Sequence, residues 1–307
     1  SVVERRQSSP ILANTLLNIQ GNTLPLTGTD LEVEMVAHAN VEADGNLDIT
    51  LPARKLLDLC KTLPEGAKLD ITLDGDRATI RSGRSRFTLA TLPADDFPNV
   101  EPGEGAETVT LTQGQLKTLI EQTQFAMAQQ DVRYYLNGLM LEVKPDRVTA
   151  VATDGHRLAH CTIETQTGAS DTSQVIIPRK GITELARLLE NSDEKVEIQL
   201  GKNHVRVILP QVTFTSKLIE GKFPDYQQVI PANPDKVMSV ARDVLHQAFN
   251  RIAVLSNEKS RGMRLQLEQG LLRASVNNPE QEEAEEEIEE DYDKDSFYIG
   301  FNIGYVM

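Results

Sequence analysis

The segment TDGHRL at residues 153–158 combines the residue types most typical of catalysis, because Asp154 and His156 are separated by a single glycine. A carboxylate that orients an imidazole forms two thirds of a hydrolytic triad. However, no nucleophile motif accompanies the pair, no Walker-type phosphate loop occurs, and no histidine lies at metal-ligand spacing from another histidine or cysteine. Residue chemistry alone therefore favours a structural turn, and a hydrolase that uses Asp154 and His156 is the alternative.

The charge of the chain limits how it can bind nucleic acid. The chain has 307 residues, with 31 Lys and Arg against 46 Asp and Glu, and a net charge of -15. Such a protein is not expected to contact nucleic acid over its whole surface, although a local basic face is compatible with this total. The two cysteines, Cys60 and Cys161, form no CxxC pair and are expected to be reduced, largely buried thiols of a cytoplasmic protein. No apolar run approaches the about 18 residues of a membrane span, so no membrane contact is expected.

A repeat of about 125 residues provides the elements that must position any site. Pro52 and Pro178 lie 126 residues apart, and each follows a β-rich stretch and opens an apolar pattern of helical spacing. Phe87 and Phe214 lie 127 residues apart in similar surroundings. The Thr-Asp pair of residues 153–154 also occurs 124 residues earlier. Several landmarks in one order at one spacing indicate duplicated modules.

A third copy of the module follows. The amphipathic pattern that predicts a helix over 116–127 recurs over 245–255, and the sequence GLML at 138–141 recurs as GMRL at 262–265. Asp154 corresponds to Asn278 at the same spacing.

The order of elements within each copy predicts the fold class. Helices alternate with runs of strands joined by short turns, for example at 74–75 and 201–203, which favours antiparallel hairpins rather than a doubly wound parallel sheet. The class is therefore α+β. Linkers are expected at 101–107 and 231–236. The predicted domains are 1–104, 108–230 and 237–307.

The register of the repeat also predicts that both ends of the sequence are cut. The first copy lacks a helix equivalent to 112–127, so about 15–20 residues are expected in front of it. The third copy stops where its second helix should begin, so about 50 residues are expected after it.

Six ordered motifs give the chain a resemblance that covers essentially its whole length. They are TGTDLE (27–32), GRSRF (83–87), QDVRYYLNG (130–138), ATDGHRLA (152–159), FPDY (223–226) and NNPEQEEAEE (277–286). The chain resembles the bacterial DNA polymerase III beta subunits, the sliding clamps, of the gammaproteobacterial type. The resemblance implies three tandem clamp domains in a ring of two head-to-tail protomers, with antiparallel sheets outside and helices that line a central hole.

The resemblance implies sequence-independent contact with double-stranded DNA. A ring that slides must contact phosphates without reading bases, which suits basic residues on the helices that face the hole. The candidates are Arg54, Lys55, Lys61, Lys117, Arg179, Lys180, Arg187 and Arg251. The resemblance adds Arg6, Gln130, Tyr134 and Tyr135 as loop residues that contact DNA, where exposed tyrosines would stack on an unpaired base. Ordinary solvated helix charges and turn packing are the alternatives for these residues.

The resemblance also implies a pocket for short linear motifs of replicative polymerase and clamp-loader subunits, a mostly apolar groove with a few polar groups. The matching positions are Leu136, Thr153, Gly155, His156, Arg157, Leu158, Pro224, Gln228, Val229, Ser260, Asn302 and Tyr305. Two of them depart from the family pattern. Gln228 stands where relatives have Arg, and Ser260 stands where they often have an aromatic residue.

Ring closure requires two different surfaces that attract each other. The residues predicted for the basic side, with its apolar members, are Arg77, Arg81, Arg84, Arg86, Phe87 and Leu89. The residues predicted for the acidic side and its apolar partners are Val254, Leu255, Gln281, Glu282, Glu283, Glu285 and Glu286. Complementary charge of this kind sets orientation and association rate. A solvated acidic face and a calcium site without EF-hand spacing are the alternatives for the acidic run.

The sequence therefore predicts a sliding clamp that confers processivity on a polymerase, with no catalytic residue, metal or cofactor. A clamp-like fragment or paralogue that cannot close a ring is an alternative, because of the expected cuts and of Gln228 and Ser260.

Overall fold

The computed structural model describes residues 2–3, 9–98, 100 and 107–307. The chain divides into two compact units, Ser1–Pro224 and Asp225–Met307. Arg6, predicted to contact DNA, and most of the predicted linker at 101–107 lie outside the described residues. The predicted linker at 231–236 has no helix or strand.

The first unit contains two of the predicted modules. The elements of the first module are β1 (Asn14–Ile19), β2 (Thr23–Thr29), β3 (Val33–Asn40), β4 (Leu47–Pro52), α1 (Ala53–Thr62), β5 (Asp70–Asp74), β6 (Arg77–Ser82) and β7 (Ser85–Ala90). The elements of the central module are β8 (Glu107–Thr112), α2 (Gln113–Glu121), β9 (Gly138–Lys144), β10 (Arg147–Thr153), β11 (Leu158–Glu164), β12 (Ser173–Pro178), α3 (Arg179–Leu188), β13 (Lys195–Leu200), β14 (His204–Ile208) and β15 (Val212–Lys217).

The second unit repeats the first half of this pattern. Its elements are α4 (Arg242–Ala253), β16 (Gly262–Glu268), β17 (Leu271–Asn277), β18 (Glu283–Glu289), β19 (Phe297–Asn302) and α5 (Ile303–Val306). All the described strand pairs are antiparallel, in the sheet orders β4-β1-β2-β3-β15-β14-β13-β8, β11-β10-β9-β12, β5-β6-β7 and β18-β17-β16-β19. The predicted α+β class is confirmed.

The two modules of the first unit are joined by a strand pair. β15 of the central module pairs with β3 of the first module, with Phe214 opposite Met35 and Thr213 opposite Val36. The joint makes a single eight-stranded sheet from parts of both modules. The side chain of Phe214, on β15, is fully buried. The repeat did not predict this pairing, because strand order across modules leaves no local pattern in the sequence.

The helix predicted over 116–127 is only partly correct. α2 begins after Thr112 and ends at Glu121. Thr112 and Gln115 form a capping box, in which the side chain of each accepts a hydrogen bond from the backbone N–H of the other. The hydroxyl of Thr123 donates to the carbonyl of Leu119 at 2.6 Å, and a short 3-10 turn follows over Gln124–Ala126. Apolar residues after the helix are still buried, which explains why the pattern continued beyond the helix end.

The expectation of buried thiols is wrong for Cys60, which is exposed, while Cys161 is partly buried. In α1 the neighbouring Leu59 faces the core, and a turn of 100° per residue carries Cys60 towards solvent. Burial raises the pKa of the Cys161 thiol. Across the described ranges, none of the helices combines the length and the apolar character that crossing a membrane requires.

Candidate functional site

The loop between β10 and β11 contains the Asp-His pair, and its aspartate is committed to the backbone. Asp154 Oδ1 accepts hydrogen bonds from the backbone N–H groups of His156 and Arg157 at 2.9 and 3.0 Å, while Oδ2 accepts from Arg157 Nε at 3.2 Å. Thr153 Oγ1 donates to the Arg157 carbonyl at 2.6 Å. Burial opposes ionisation of Asp154, but these hydrogen bonds and the Arg157 charge outweigh it and lower its pKa. The carboxylate therefore stabilises a tight turn.

The same turn recurs in the first module, as the repeat predicted. Asp30 Oδ1 accepts from the backbone N–H groups of Glu32 and Val33 at 2.9 and 2.8 Å, and Thr29 Oγ1 donates to the Val33 carbonyl at 2.9 Å. In the second unit, Asn278 Oδ1 accepts from Glu282 N at 2.9 Å. A carboxylate or amide that closes a hairpin in each module is a structural device. The turn predicted from residue chemistry is confirmed.

The turn in the central module differs from its copies because two arginines fasten it to neighbouring loops. Arg157 Nη2 donates to the Phe125 carbonyl at 2.9 Å, and its guanidinium lies 5.6 Å from the centre of the Phe125 ring. Arg133 Nη2 donates to the Asp154 carbonyl at 3.2 Å. Gly155 has a φ of +87°, and a Cβ there would lie 2.9 Å from the Arg133 guanidinium. The positive φ favours glycine at this position, and a Cβ would in addition displace the Arg133 guanidinium.

Arg133 is itself held by a fork of hydrogen bonds. Its Nε and Nη2 donate to Asp131 Oδ1 and Oδ2 at 3.0 and 2.8 Å. Asn137 Nδ2 donates to the Asp131 carbonyl at 2.9 Å, which closes the base of the loop. The loop at 130–137 and the turn at 153–158 are thus linked through one guanidinium. Sequence reasoning missed Asp131, Arg133 and Phe125, although the Asp-x-Arg spacing within QDVRYYLNG was a usable sign.

The Asp131–Arg133 pair gives a pH prediction. The side-chain hydrogen bonds from Arg133 lower the pKa of Asp131 from 3.8 to about 2. Because the folded pKa is depressed, the contribution of this pair is complete above the unfolded pKa and is lost as pH falls through the folded value. We expect the Asp131 carboxyl carbon to titrate near pH 2 by NMR, and Arg133→Gln to move that midpoint towards 3.8. An Asp131 midpoint near 3.8 in the unmodified chain would contradict the prediction.

The loop at 130–137 contains Gln130, Tyr134 and Tyr135, the residues predicted to contact DNA. Tyr134 is 57% exposed and meets Tyr135 edge-on, with ring centroids 5.7 Å apart. Gln130 is exposed and has a φ of +56°, a strained conformation for a side chain other than glycine or asparagine. Val132 is 95% exposed at the tip. The fixed loop therefore presents one phenol ring and one aliphatic side chain to solvent.

The pocket candidates of the first unit belong to the Asp154 turn, to the loop at 130–137 and to the end of the unit at Pro224. Leu136 is buried beneath the loop, with its carbonyl accepting from Ala128 N at 3.0 Å. Leu158 is partly buried, and Pro224 is exposed at the end of this unit. Leu158 and Pro224 offer apolar surface and the turn offers polar atoms, two features suited to binding an extended peptide.

The pocket candidates of the second unit have their own geometry. Asn302 Oδ1 accepts from Gly304 N at 2.9 Å and begins α5, and its Nδ2 donates to the Ser260 carbonyl at 3.2 Å. Gln228 Nε2 donates to Asp225 Oδ2 at 2.8 Å. Val229 is 66% exposed, and Tyr305 is also exposed.

The predicted phosphate-contacting cations fall into two groups. Arg54, Lys55 and Lys61 are exposed on α1. The others have protein partners: Lys117 pairs with Glu121 at 2.8 Å, Arg187 with Glu184 at 2.6 Å, Lys180 with Asp30, and Arg179 donates to the Met127 carbonyl at 3.1 Å. Arg251 makes a forked pair with Glu286. Each cation of the second set therefore already binds a carboxylate or a carbonyl oxygen of the protein.

The basic residues on β6 and β7 of the first module share one face of the three-stranded sheet. Arg77 and Arg81 on β6 alternate with the buried Ala78 and Ile80, so both arginines point outward. Arg86 on the terminal strand β7 lies opposite Arg81 in register. Like charges facing each other across strands destabilise a sheet unless something acidic covers them.

The acidic residues of the second unit occupy another sheet edge. In β18 the inner face contains the buried Ile288 and also Ala284, which packs against the core. Glu286 lies on the same face and accepts hydrogen bonds from Arg251. The outer face is formed by Glu283, Glu285, Glu287 and Glu289. Sequence analysis treated the acidic run as one surface and did not separate the inward-facing Glu286 from the outward-facing Glu287 and Glu289. An alternation of period two along the acidic run was the sign that separates them.

Comparison with known proteins agrees with this architecture. Family models for the N-terminal, central and C-terminal domains of the DNA polymerase III beta subunit match residues 1–101, 110–225 and 227–307. The beta sliding clamp of Pseudomonas putida is 55% identical over 307 residues, which are 100% of this chain and 84% of that protein. The Escherichia coli K12 clamp is 50% identical over 303 residues, covering 98% of this chain and 82% of its own.

Solved structures agree as well. The DNA polymerase III subunit beta of Pseudomonas aeruginosa superposes with a TM-score of 0.96 at 53% identity, covering 99% of this chain and 84% of its own. The hydrolase alternative is wrong, since the aspartate holds a turn and the relatives are clamps. The chain belongs to the DNA polymerase III beta subunits, the bacterial beta sliding clamps, which are processivity factors without catalytic activity of their own.

Proposed function

We propose that two copies of the chain associate head to tail into a ring that encloses double-stranded DNA. The observation that carries the proposal is the β15–β3 joint between the first two modules. By the repeat, β7 of the first module corresponds to β15, and β18 of the third corresponds to β3. Within the described residues, β7 pairs only with β6 and β18 only with β17. The two equivalent edges are therefore available for the same joint between copies.

The register of this joint follows from the hairpins. Thr29 pairs with Glu34, and Asn277 pairs with Glu283, so Glu34 corresponds to Glu283 and Met35 to Ala284. β7 and β15 each have six residues with Phe in third place, so Phe87 corresponds to Phe214. Transferred from the pairs Phe214–Met35 and Thr213–Val36, the register sets Phe87 opposite Ala284 and Arg86 opposite Glu285.

Charge and apolarity agree with this register. Phe87 and Ala284 both pack against the core of their own module, so the inner faces match. The outer faces carry Arg77, Arg81 and Arg86 on one side and Glu283, Glu285, Glu287 and Glu289 on the other. An acidic neighbour would relieve the Arg81–Arg86 repulsion. The wider proposed interface adds Arg84, Leu89, Val254, Leu255, Gln281 and Glu282.

DNA contact in the proposed ring is weak and independent of base sequence. Exposed α1 cations and the paired cations of α2 and α3 would meet phosphates without a fixed register. Gln130, Tyr134 and Tyr135 would contact the strand near a primer end, and the proposal extends to Arg6. Topology rather than affinity would then keep the protein on DNA.

Partner binding is proposed for the surface around the Asp154 turn. An extended segment of a replicative polymerase or clamp-loader subunit would lie on Leu158 and Pro224, with the buried Leu136 as support, and would make polar contacts to Thr153, Gly155, His156 and Arg157. In the second unit, Gln228, Val229, Ser260, Asn302 and Tyr305 are proposed as peptide-contacting residues. Gln228 and Ser260 would reduce the charge and the apolar area offered to a peptide.

Size-exclusion chromatography with light scattering tests the ring directly on this chain. One chain has a mass of 34.0 kDa, and the proposal predicts a particle of twice that mass at micromolar concentration. High salt should favour its dissociation. A strict monomer at that concentration would favour the alternative of a clamp-like fragment or paralogue that cannot close a ring.

A further inference from the structure

We propose that a lysine-lined groove on the central module binds the phosphates of single-stranded DNA. The proposal deepens the DNA contact proposed above and rests on it. The groove lies where the β13–β14 turn and the end of β15 meet strand β12, and has a volume of about 700 Å³. Lys202, Lys217 and Lys222 supply its cationic lining, and His204 lines it as well.

The groove is built by hydrogen bonds of the sheet. His204, at the start of β14, lies opposite Lys217, at the end of β15. Leu218 N donates to the Asn203 carbonyl at 2.9 Å, and Ile219 N donates to the Ile176 carbonyl at 2.8 Å. The two strand ends and the following segment are therefore fixed relative to β12.

The positive charge of the three groove lysines is not neutralised by ion pairs. Within the described residues, Lys202, Lys217 and Lys222 take part in no ion pair, whereas Lys117, Lys144 and Lys180 do. Glu220 is the single carboxylate among the lining residues. Burial and then the charges of Lys217 and Arg206 lower the pKa of His204, as expected for an imidazole beside cations. An anion would find three lysines against one glutamate.

An aromatic platform adjoins these cations. A Cβ built on Gly221, which lines the groove, would lie 3.4 Å from the Tyr134 hydroxyl. The groove therefore borders the exposed ring of Tyr134. A cationic groove that follows a backbone, beside an exposed aromatic ring on which bases stack, is the usual design of single-strand binding sites. An acidic peptide would use the lysines but has no need of the ring.

The test compares two triple variants of the full chain. Lys202→Gln, Lys217→Gln and Lys222→Gln are combined in one, and Lys68→Gln, Lys195→Gln and Lys294→Gln in a control with the same change of charge. Binding of dye-labelled oligothymidylate is followed by anisotropy across a salt series. Loss of three phosphate contacts should lower the slope of log K against log salt by about 2 and weaken binding about tenfold at low salt. Glu220→Gln should strengthen binding.

Two further arms separate the alternatives. An abasic oligonucleotide has phosphates but no bases to stack. Its binding should therefore be weakened in the groove variant and unchanged in Tyr134→Leu, which loses only stacking. Polyglutamate of matched charge should bind weakly to all variants. Equal slopes for the two triple variants, or a loss confined to polyglutamate, would overturn the proposal. Light scattering on the groove variant tests the ring separately. If that variant is a dimer and binds single-stranded DNA as well as the unmodified chain, the groove proposal is wrong and the ring proposal is unaffected.

Discussion

Arg86→Glu and Glu285→Arg, each alone, are expected to leave the chain monomeric at micromolar concentration, whereas an equimolar mixture of the two variants forms the dimer. In a head-to-tail ring each joint uses β7 of one copy and β18 of the other. Either variant alone therefore places like charges at both joints. In the mixed dimer one joint has the original pair and the other has the pair with its signs exchanged.

The expected size follows from close charge pairs at interfaces. A loss of about 2 kcal/mol at each joint is in the range measured for such pairs. Because both joints are lost together, the dissociation constant rises about a thousandfold. Lys68→Glu, an exposed change of equal charge away from β7 and β18, is the matched control and should leave the dimer intact. Glu285 also lies 3.4 Å from Arg273 within its own unit, so circular dichroism must verify that Glu285→Arg remains folded.

The measurement is light scattering on each variant and on the mixture. If the mixture stays monomeric while both variants are folded, the register that sets Arg86 opposite Glu285 is wrong. If either variant alone is fully dimeric, the β7–β18 joint itself is wrong.

Asp154→Ala is expected to weaken peptide binding at least about tenfold, or ~1.4 kcal/mol, while Asp30→Ala leaves it unchanged. Both aspartates accept two backbone hydrogen bonds at the same place in their module. Both variants therefore lose stability of the same order, about 1–3 kcal/mol, from unsatisfied turn donors. Only Asp154 lies in the turn that Arg133 and Arg157 fasten to the neighbouring loops.

Anisotropy of a labelled polymerase segment would measure this difference, with thermal unfolding as the measure of stability. Equal losses of peptide affinity in Asp154→Ala and Asp30→Ala would mean that the central turn has no special role. His156→Ala should reduce peptide affinity without abolishing any turnover, because the relatives are not enzymes.

Much of the fold was accessible from the sequence because each module repeats the same local signals. Proline before a helix, apolar residues at helical spacing and Thr-Asp at a hairpin are properties of short segments. Consequently α1, α3 and the turns at Thr29 and Thr153 were predicted correctly. The α2 end was not, because burial of a 3-10 turn continues the apolar pattern.

The features that the sequence did not reveal depend on distant parts of the chain. The β3–β15 joint has no local pattern, since neither strand records which strand lies beside it. The roles of Arg133 and Phe125 arise only when two loops meet. The outward exposure of Cys60 and the inward position of Glu286 depend on which face of an element packs, and a closer reading of periodicity would have found the latter.

Retention on DNA of different topology tests the central claim most directly. The protein is loaded onto a nicked circular duplex, half of the sample is linearised with a restriction enzyme, and the DNA-bound fraction is followed by gel filtration at moderate salt. A ring held by topology should remain on the circle and leave the linear DNA rapidly through its ends. Equal rates of loss from the two forms would contradict the enclosure of DNA by a closed ring.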